Sequence, residues 1–402
     1  MKRLLAAASI AALAASMATT SSSAEEKTAW RLFVSDHAEP VINVVDALTG
    51  NKIDALPLKG PASLYRSASG RTVFAVQGKA DAVSAVSTGI TFEDHGDHGD
   101  IEVTAPKLTG TEITGTKPSH FVEHDGEFAL FFDGEGIARI VDEKTVLDGG
   151  PSTREVKSEA PHHGVAAVYG DYVLLSEPNK EKPDELPVGI RVVDRAGKQV
   201  GDIHACPDLH GEATSGKLLA FACATGLLLV RDGDQGPSVE HIPYPANLPN
   251  GKATTLLGGK GLQYFLGNYG SDRLLLIDPS TKELFRSVDL PTRRVHFAVD
   301  PIRPRFAYAF TEDGQLHQVD IVAGKITQSV KLTEPYSMDG HWSDPRPRIA
   351  VADDRIVVTD PLKGQLHLVD ATSFARTGDI PLAGKPFNIV AVGGSGETHV
   401  TE

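Results

Sequence analysis

One short design recurs along almost the whole chain: an apolar, β-rich strand ending in aspartate, then a turn, then a second strand. It is seen at Val41–Asp46, Ala138–Asp142, Gly189–Asp194, Leu227–Asp232, Leu274–Asp278, Leu316–Asp320 and Leu366–Asp370. The terminal aspartates fall roughly 40 to 50 residues apart, the period of a four-stranded propeller blade. The gap between Asp46 and Asp142 is double, and Ala82–Val86 stands where the missing member belongs, which makes about eight units. Each unit shows short or alternating apolar strands with Gly, Asp and Asn turns, and no helical periodicity follows the first two dozen residues, so helical solenoids are excluded. A single blade cannot bury both of its faces. Radial packing buries them against neighbours, and closing the ring removes the exposed edges. The chain therefore reads as an all-β, single-domain β-propeller of about eight four-stranded blades. Seven is the other count its length allows, and two β-sandwiches would not explain the regular spacing.

The N-terminus stands apart from this pattern. Lys2 and Arg3 precede an uncharged run from Leu4 to Met17, and Ser22-Ser23-Ala24 leads into Glu25-Glu26. A basic start, an apolar stretch too short to span a bilayer and small residues before an acidic pair mark a cleavable secretory signal. Residues 1–24 are thus expected to be the signal peptide and 25–402 the propeller, a soluble, monomeric protein of the periplasm. The formal net charge is −14, or −16 once Lys2 and Arg3 leave with the signal. An acidic chain without a basic block argues against nucleic acid and against an anionic membrane surface. The two cysteines, Cys206 and Cys223, in an oxidising compartment read most simply as one disulfide, the alternative being a thiolate metal site.

Histidines occupy one register of the repeat. His120, His163, His210, His296 and His341 each precede an apolar second strand by about eight to ten residues, the length of an inner strand and its turn. Innermost strands line the channel of a propeller, so residues that open them converge on its mouth. Neutral imidazole is a favoured zinc ligand, and about three of the five, with a carboxylate, would complete a tetrahedron. The bland alternative is a set of polar strand-start residues facing water. His162 is the substitute for His163 if the register slips by one. His124, in a Glu-His-Asp-Gly turn, is expected at the far, exposed end of its strand.

A second cluster is denser. Glu93-Asp94-His95-Gly96-Asp97-His98-Gly99-Asp100 places two histidines and four carboxylates in eight residues, with glycines free to wrap an ion. Its place between two strands makes it a loop or hairpin tip of the second blade. The EF-hand spacing of calcium sites is absent, and imidazole with carboxylate favours a borderline ion such as Zn2+. His95, His98, Asp94, Asp97 and Asp100 are the candidate ligands; a solvated acidic turn is the alternative.

The run Phe92–Asp100, followed by an apolar strand and Pro106, resembles the periplasmic zinc metallochaperones of the AztD type. The likeness extends over most of the chain after residue 24, through the propeller repeats, Lys117-Pro-Ser-His120 and Pro161-His-His163. The resemblance implies a β-propeller that binds zinc and delivers it to the solute-binding protein of a zinc ABC importer, with no catalysis. The rival is a metal-dependent propeller hydrolase of lactonase type, for which Asp339 or Glu123 would have to serve as base. No nucleophile–base pair stands out to support it. A protein-binding scaffold is the remaining class.

Overall fold

The computed structural model describes residues 25–95, 99–234 and 236–398; the expected signal peptide, 1–24, lies outside them. Their strands form eight sheets arranged as eight blades, as the repeat count indicated. Blades 2 to 8 each run through four strands from the innermost outwards. Their innermost strands are Ser63–Arg66, Pro118–His124, Ala166–Tyr169, Glu212–Ser215, Leu256–Leu257, Arg294–Val299 and Ile349–Ala352. Ala82–Ser87, the expected missing unit, is the third strand of blade 2.

Blade 1 closes the ring, a feature the repeat alone could not reveal. Its innermost strand is the C-terminal Pro386–Thr398, paired antiparallel with the N-terminal Glu25–Asp36, and Val41–Asp46 and Lys52–Pro57 lie outside. Joining the two chain ends in one sheet leaves the ring with no open edge between its first and last repeats.

The recurrent aspartates end the third strands, and the reason is local. Asp46 accepts from the N–H groups of Leu48 and Thr49, Asp194 from Ala196, Asp278 from Ser280, Asp320 from Val322 and Ala323, and Asp370 from Thr372 and Ser373. Each carboxylate thereby caps the turn into the outermost strand. Asp142 does the same for a short helix, Glu143–Leu147.

Packing between blades follows from the alternation. Phe74, Val83 and Ile113 of blade 2 meet Phe128, Leu130 and Phe132 of blade 3, with both blades' faces fully covered. Each such aromatic ring removed from water contributes roughly 1.5–3 kcal/mol. Cys206, just past the fourth strand of blade 4, is bonded to Cys223 at the end of the second strand of blade 5.

Strand direction defines two faces. All innermost strands begin on one face of the ring, here the start face, and finish on the other, the end face. Because neighbouring strands are antiparallel, turns from second to third strand lie on the start face and turns from third to fourth on the end face. The acidic histidine motif falls on a hairpin, Ile90–Asp94 with Gly99–Val103, inserted between the third and fourth strands of blade 2. It joins the tail of blade 1 where Asp100 pairs with Glu397. Arg31 holds its base, donating to the carbonyls of Thr88 and Thr104. Gly89, at φ +68°, is needed there, because a Cβ would sit 2.4 Å from the Thr104 oxygen. The hairpin thus emerges on the end face.

Candidate metal centre

His120, His163 and His210 come together on the start face of three consecutive blades. His120 is the third residue of its innermost strand, and His163 and His210 lie three and two residues before theirs. His163 Nε2 is 3.2 Å from His120 Nε2 and 3.3 Å from His210 Nε2, and all three ligand atoms fall within 4.8 Å of one another. With Zn–N bonds of about 2.05 Å, the edge of a coordination tetrahedron measures about 3.3 Å. Two edges of the triangle already have that length.

The opposite ring nitrogens are each held. His210 Nδ1 donates to the Thr254 carbonyl at 2.7 Å, His163 Nδ1 to Asp133 at 2.6 Å, and His120 Nδ1 to Glu212 at 2.9 Å. A carbonyl can only accept, and an ionised carboxylate likewise, so Nδ1 carries the proton and Nε2 presents its lone pair. Three lone pairs then face one point, which is an arrangement for a cation. Burial works against a charge on Glu212, but His120 outweighs it and holds the carboxyl below its usual range. Burial also opposes protonation of His120, and there the Glu212 and Asp133 charges prevail, so its pKa is raised. His210 is lowered by burial, with the two neighbouring imidazoles adding to the effect.

A further layer fixes these partners. Asn268 accepts from the N–H groups of Thr254 and Thr255 at 2.8 and 2.7 Å and donates to the Thr254 hydroxyl, locking the carbonyl that holds His210. Gly211, at φ +95°, lets His210 approach, since a Cβ would stand 2.7 Å from the Thr254 carbonyl carbon. Gly164 plays the same part beside His163, where a Cβ would meet His162 and Ser176.

The expected carboxylates are therefore present, but behind the rings rather than in the fourth coordination position. Asp133, Glu212, Thr254 and Asn268 escaped the sequence reading because they are brought in from other strands and turns. The glycine that follows both His163 and His210 was the available signal.

The other two register histidines are placed elsewhere. His296 accepts at Nδ1 from the Ile349 N–H at 3.1 Å, and burial with Arg348 and Arg294 pushes its pKa well below the ordinary value. His341 is exposed in the loop before blade 8 and bonds Ser343. Neither joins the three-histidine cluster. His162 is buried between Ser176 and the Ala160 carbonyl. His124 ends its strand as expected but is buried, not exposed: it stacks on Tyr169 with ring centroids 4.7 Å apart.

On the hairpin, His95 Nε2 lies 3.0 Å from Asp100. Asp94 ends the first strand of the hairpin, while Asp97 and His98 lie outside the described residues. The hairpin and the triad occupy opposite faces of the ring.

No helix among the described residues is long and apolar enough to cross a membrane. No family model matches the chain. It is 54% identical over 400 residues to the zinc chaperone AztD of Citrobacter koseri, covering 99% of this chain and 95% of that protein. The crystal structure of Citrobacter koseri AztD superposes with a TM-score of 0.91 at 56% identity, over 93% of this chain and all of that one. The structure of its apo form gives 0.89 at 54% identity, over the same shares. The dihydro-heme d1 dehydrogenase NirN reaches 0.57 over 89% of this chain and 74% of its own, but at 13% identity it shares the fold alone. This chain belongs to the family of the zinc chaperone AztD.

Proposed function

We propose that the protein is a periplasmic zinc chaperone, a carrier and not an enzyme, that holds Zn2+ on His120, His163 and His210 and delivers it to the solute-binding protein of a zinc ABC importer. The observation that carries this reading is the set of three Nε2 atoms facing one point, each ring braced at Nδ1 by a protein acceptor. Three imidazoles favour zinc over calcium or magnesium, which prefer oxygen. Three protein ligands leave a fourth position for water or for an incoming ligand, the arrangement that stepwise handover needs. In that exchange His163 is the exposed member and the first that a recipient can reach.

Asp94, His95 and Asp100 on the hairpin, with Asp97 and His98 of the same sequence motif, constitute a second zinc-binding element separate from the triad. It gathers the ion independently of the triad.

His163→Ala tests the proposal. It removes the nitrogen common to both short contacts, and zinc affinity in a competitive chelator titration is expected to fall at least a hundredfold, with an unchanged circular dichroism spectrum. Transfer to a purified solute-binding protein, followed by metal analysis after separation, should fall with it. Wild-type affinity and transfer in the variant would overturn the assignment.

A further inference from the structure

Away from the histidines, the start face presents an aromatic side chain to water. Segment 332–348 joins the outermost strand of blade 7, Lys325–Lys331, to the innermost strand of blade 8, Ile349–Ala352, and so lies on that face; 115–117 suffices for the same connection between blades 2 and 3. Within it Trp342 is 83% exposed, more than any other large hydrophobic side chain among the described residues. An indole in water forgoes the large burial that such a ring contributes elsewhere.

The loop that carries it is braced. Arg346 is buried and donates to the carbonyls of Ser337, Asp339 and His341. Asp344 accepts from the His341 N–H at 2.9 Å, and the His37 ring donates to the Ser343 carbonyl at 2.6 Å. His341 packs against the indole, with ring centroids 5.3 Å apart. A second exposed apolar side chain, Leu362, is tied to the same loop. It lies in the turn from second to third strand of blade 8, where its N–H donates to the Tyr336 hydroxyl at 3.0 Å. A groove of about 480 Å³ opens beside it, lined also by Lys363, Leu382 and Gly384. Large aromatic side chains on pre-ordered backbone, which lose little freedom on contact, are what protein interfaces use as anchors.

The handover proposed above determines what covers this surface. A recipient has to approach the start face, because His163, with 43% of its side chain exposed, is the ligand open to it. Three imidazole rings are too small a contact to hold a protein. A specific interface takes about 800 Å² from each partner, a patch roughly 30 Å across. Four strands at about 4.8 Å spacing put only about 15 Å between channel wall and rim. A footprint centred on the channel mouth therefore runs from the loops of blades 3 to 5 onto those of the opposite blades, where segment 332–348 reaches the channel wall.

We propose that Trp342, seconded by Leu362, is the anchor by which the zinc-recipient protein docks on the start face, the indole entering an apolar pocket of that partner. This rests on the handover reading and adds to it where the recipient binds. The anchor is separate from the zinc ligands, so docking and metal affinity come apart on substitution.

Zinc-loaded full chain, mixed with a purified solute-binding protein at a series of concentrations, tests it through the rate of transfer. Trp342→Ala should raise the half-saturating recipient concentration about tenfold or more. Its plateau rate and its zinc affinity in a chelator titration should match wild type. Trp342→Phe should be intermediate, and Leu362→Ser should show a smaller loss in the same direction. Transfer by wild type with an unchanged concentration dependence in Trp342→Ala would overturn the docking proposal and leave the handover standing. No transfer by wild type at any concentration would overturn the handover, and the docking proposal with it. A wild-type dimer in sedimentation that Trp342→Ala dissociates would assign this surface to a second copy of the chain and overturn the proposal.

Discussion

Glu212→Gln isolates the charge behind the triad. Glu212 accepts from His120 Nδ1 at 2.9 Å, with only 18% of the histidine and 10% of the glutamate side chain exposed. Adding the imidazole ring and a Zn–N bond places the carboxylate about 7 Å from a bound ion. A unit negative charge at that distance from a divalent cation contributes about 1 kcal/mol under water-like screening and about 5 kcal/mol at an effective dielectric of 20. Loss of a hydrogen-bonded partner behind a metal-ligating histidine commonly costs 10- to 100-fold in affinity, about 1.4–2.7 kcal/mol, which lies within those limits. Glutamine keeps an acceptor for Nδ1 and removes the charge, so a drop of about tenfold or more is expected at pH 8. The pH dependence supplies a sharper check. Glu212 is the main force raising the His120 pKa against burial, so protons compete for this ligand in the wild type already above the ordinary value. Without the charge, burial acts unopposed, the His120 pKa falls and proton competition weakens. The wild-type advantage should therefore shrink as pH drops from 8 to 6. Chelator competition at a series of pH values measures it. Equal affinities at pH 8, or an advantage that grows as pH falls, would refute the role assigned to Glu212.

Three other outcomes follow from the same geometry. Gly211→Ala forces a side chain against the Thr254 carbonyl at a positive φ, and should lower zinc affinity while costing about 1–3 kcal/mol of stability in urea unfolding. Asp360, buried beside His367 and Tyr336, and Asp379 on the other side of that imidazole should contribute acid sensitivity. Burial works to raise both carboxyls, and the hydrogen bonds from His367 and Tyr336 at Asp360, and from Arg376 and His367 at Asp379, leave both below the usual range. Their contribution is complete above the unfolded value near pH 4 and is lost as pH falls through the depressed folded values. Asp360→Asn should cost about 3 kcal/mol at pH 7 and flatten the stability curve between pH 4 and 2. Replacing Cys206 and Cys223 by alanine opens a loop with a sequence separation of 17 and should cost about 3 kcal/mol, with zinc stoichiometry retained at 25 °C.

The blades were legible because their determinants are local. An aspartate that caps the turn after each third strand is a short-range hydrogen bond, so it recurs at the blade period and can be counted, even through the gap at Ala82–Val86. The histidine register was legible for a similar reason, since His120, His163 and His210 sit at one point of consecutive repeats. That register also admitted His296 and His341, which share the spacing but not the surroundings. His296 is held between blade 7 and blade 8 by Ile349 and flanked by arginines, and His341 stands in a loop of its own.

What the sequence determined by itself was the unit and its number: an alternating pattern that can be buried only between like neighbours, repeated about eight times. Tertiary structure decided which residues meet. Ring closure through Pro386–Thr398 and Glu25–Asp36 pairs residues as far apart in the chain as Glu25 and Thr398. The braces of the triad arrive from Asp133, Glu212 and Thr254, each on a different blade or turn from the ring it holds. Strand polarity, which no single repeat displays, sent the hairpin of His95 and Asp100 to one face and the triad to the other. Local hydrogen bonds and alternation are written along the chain; proximity across blades exists only once the ring has closed.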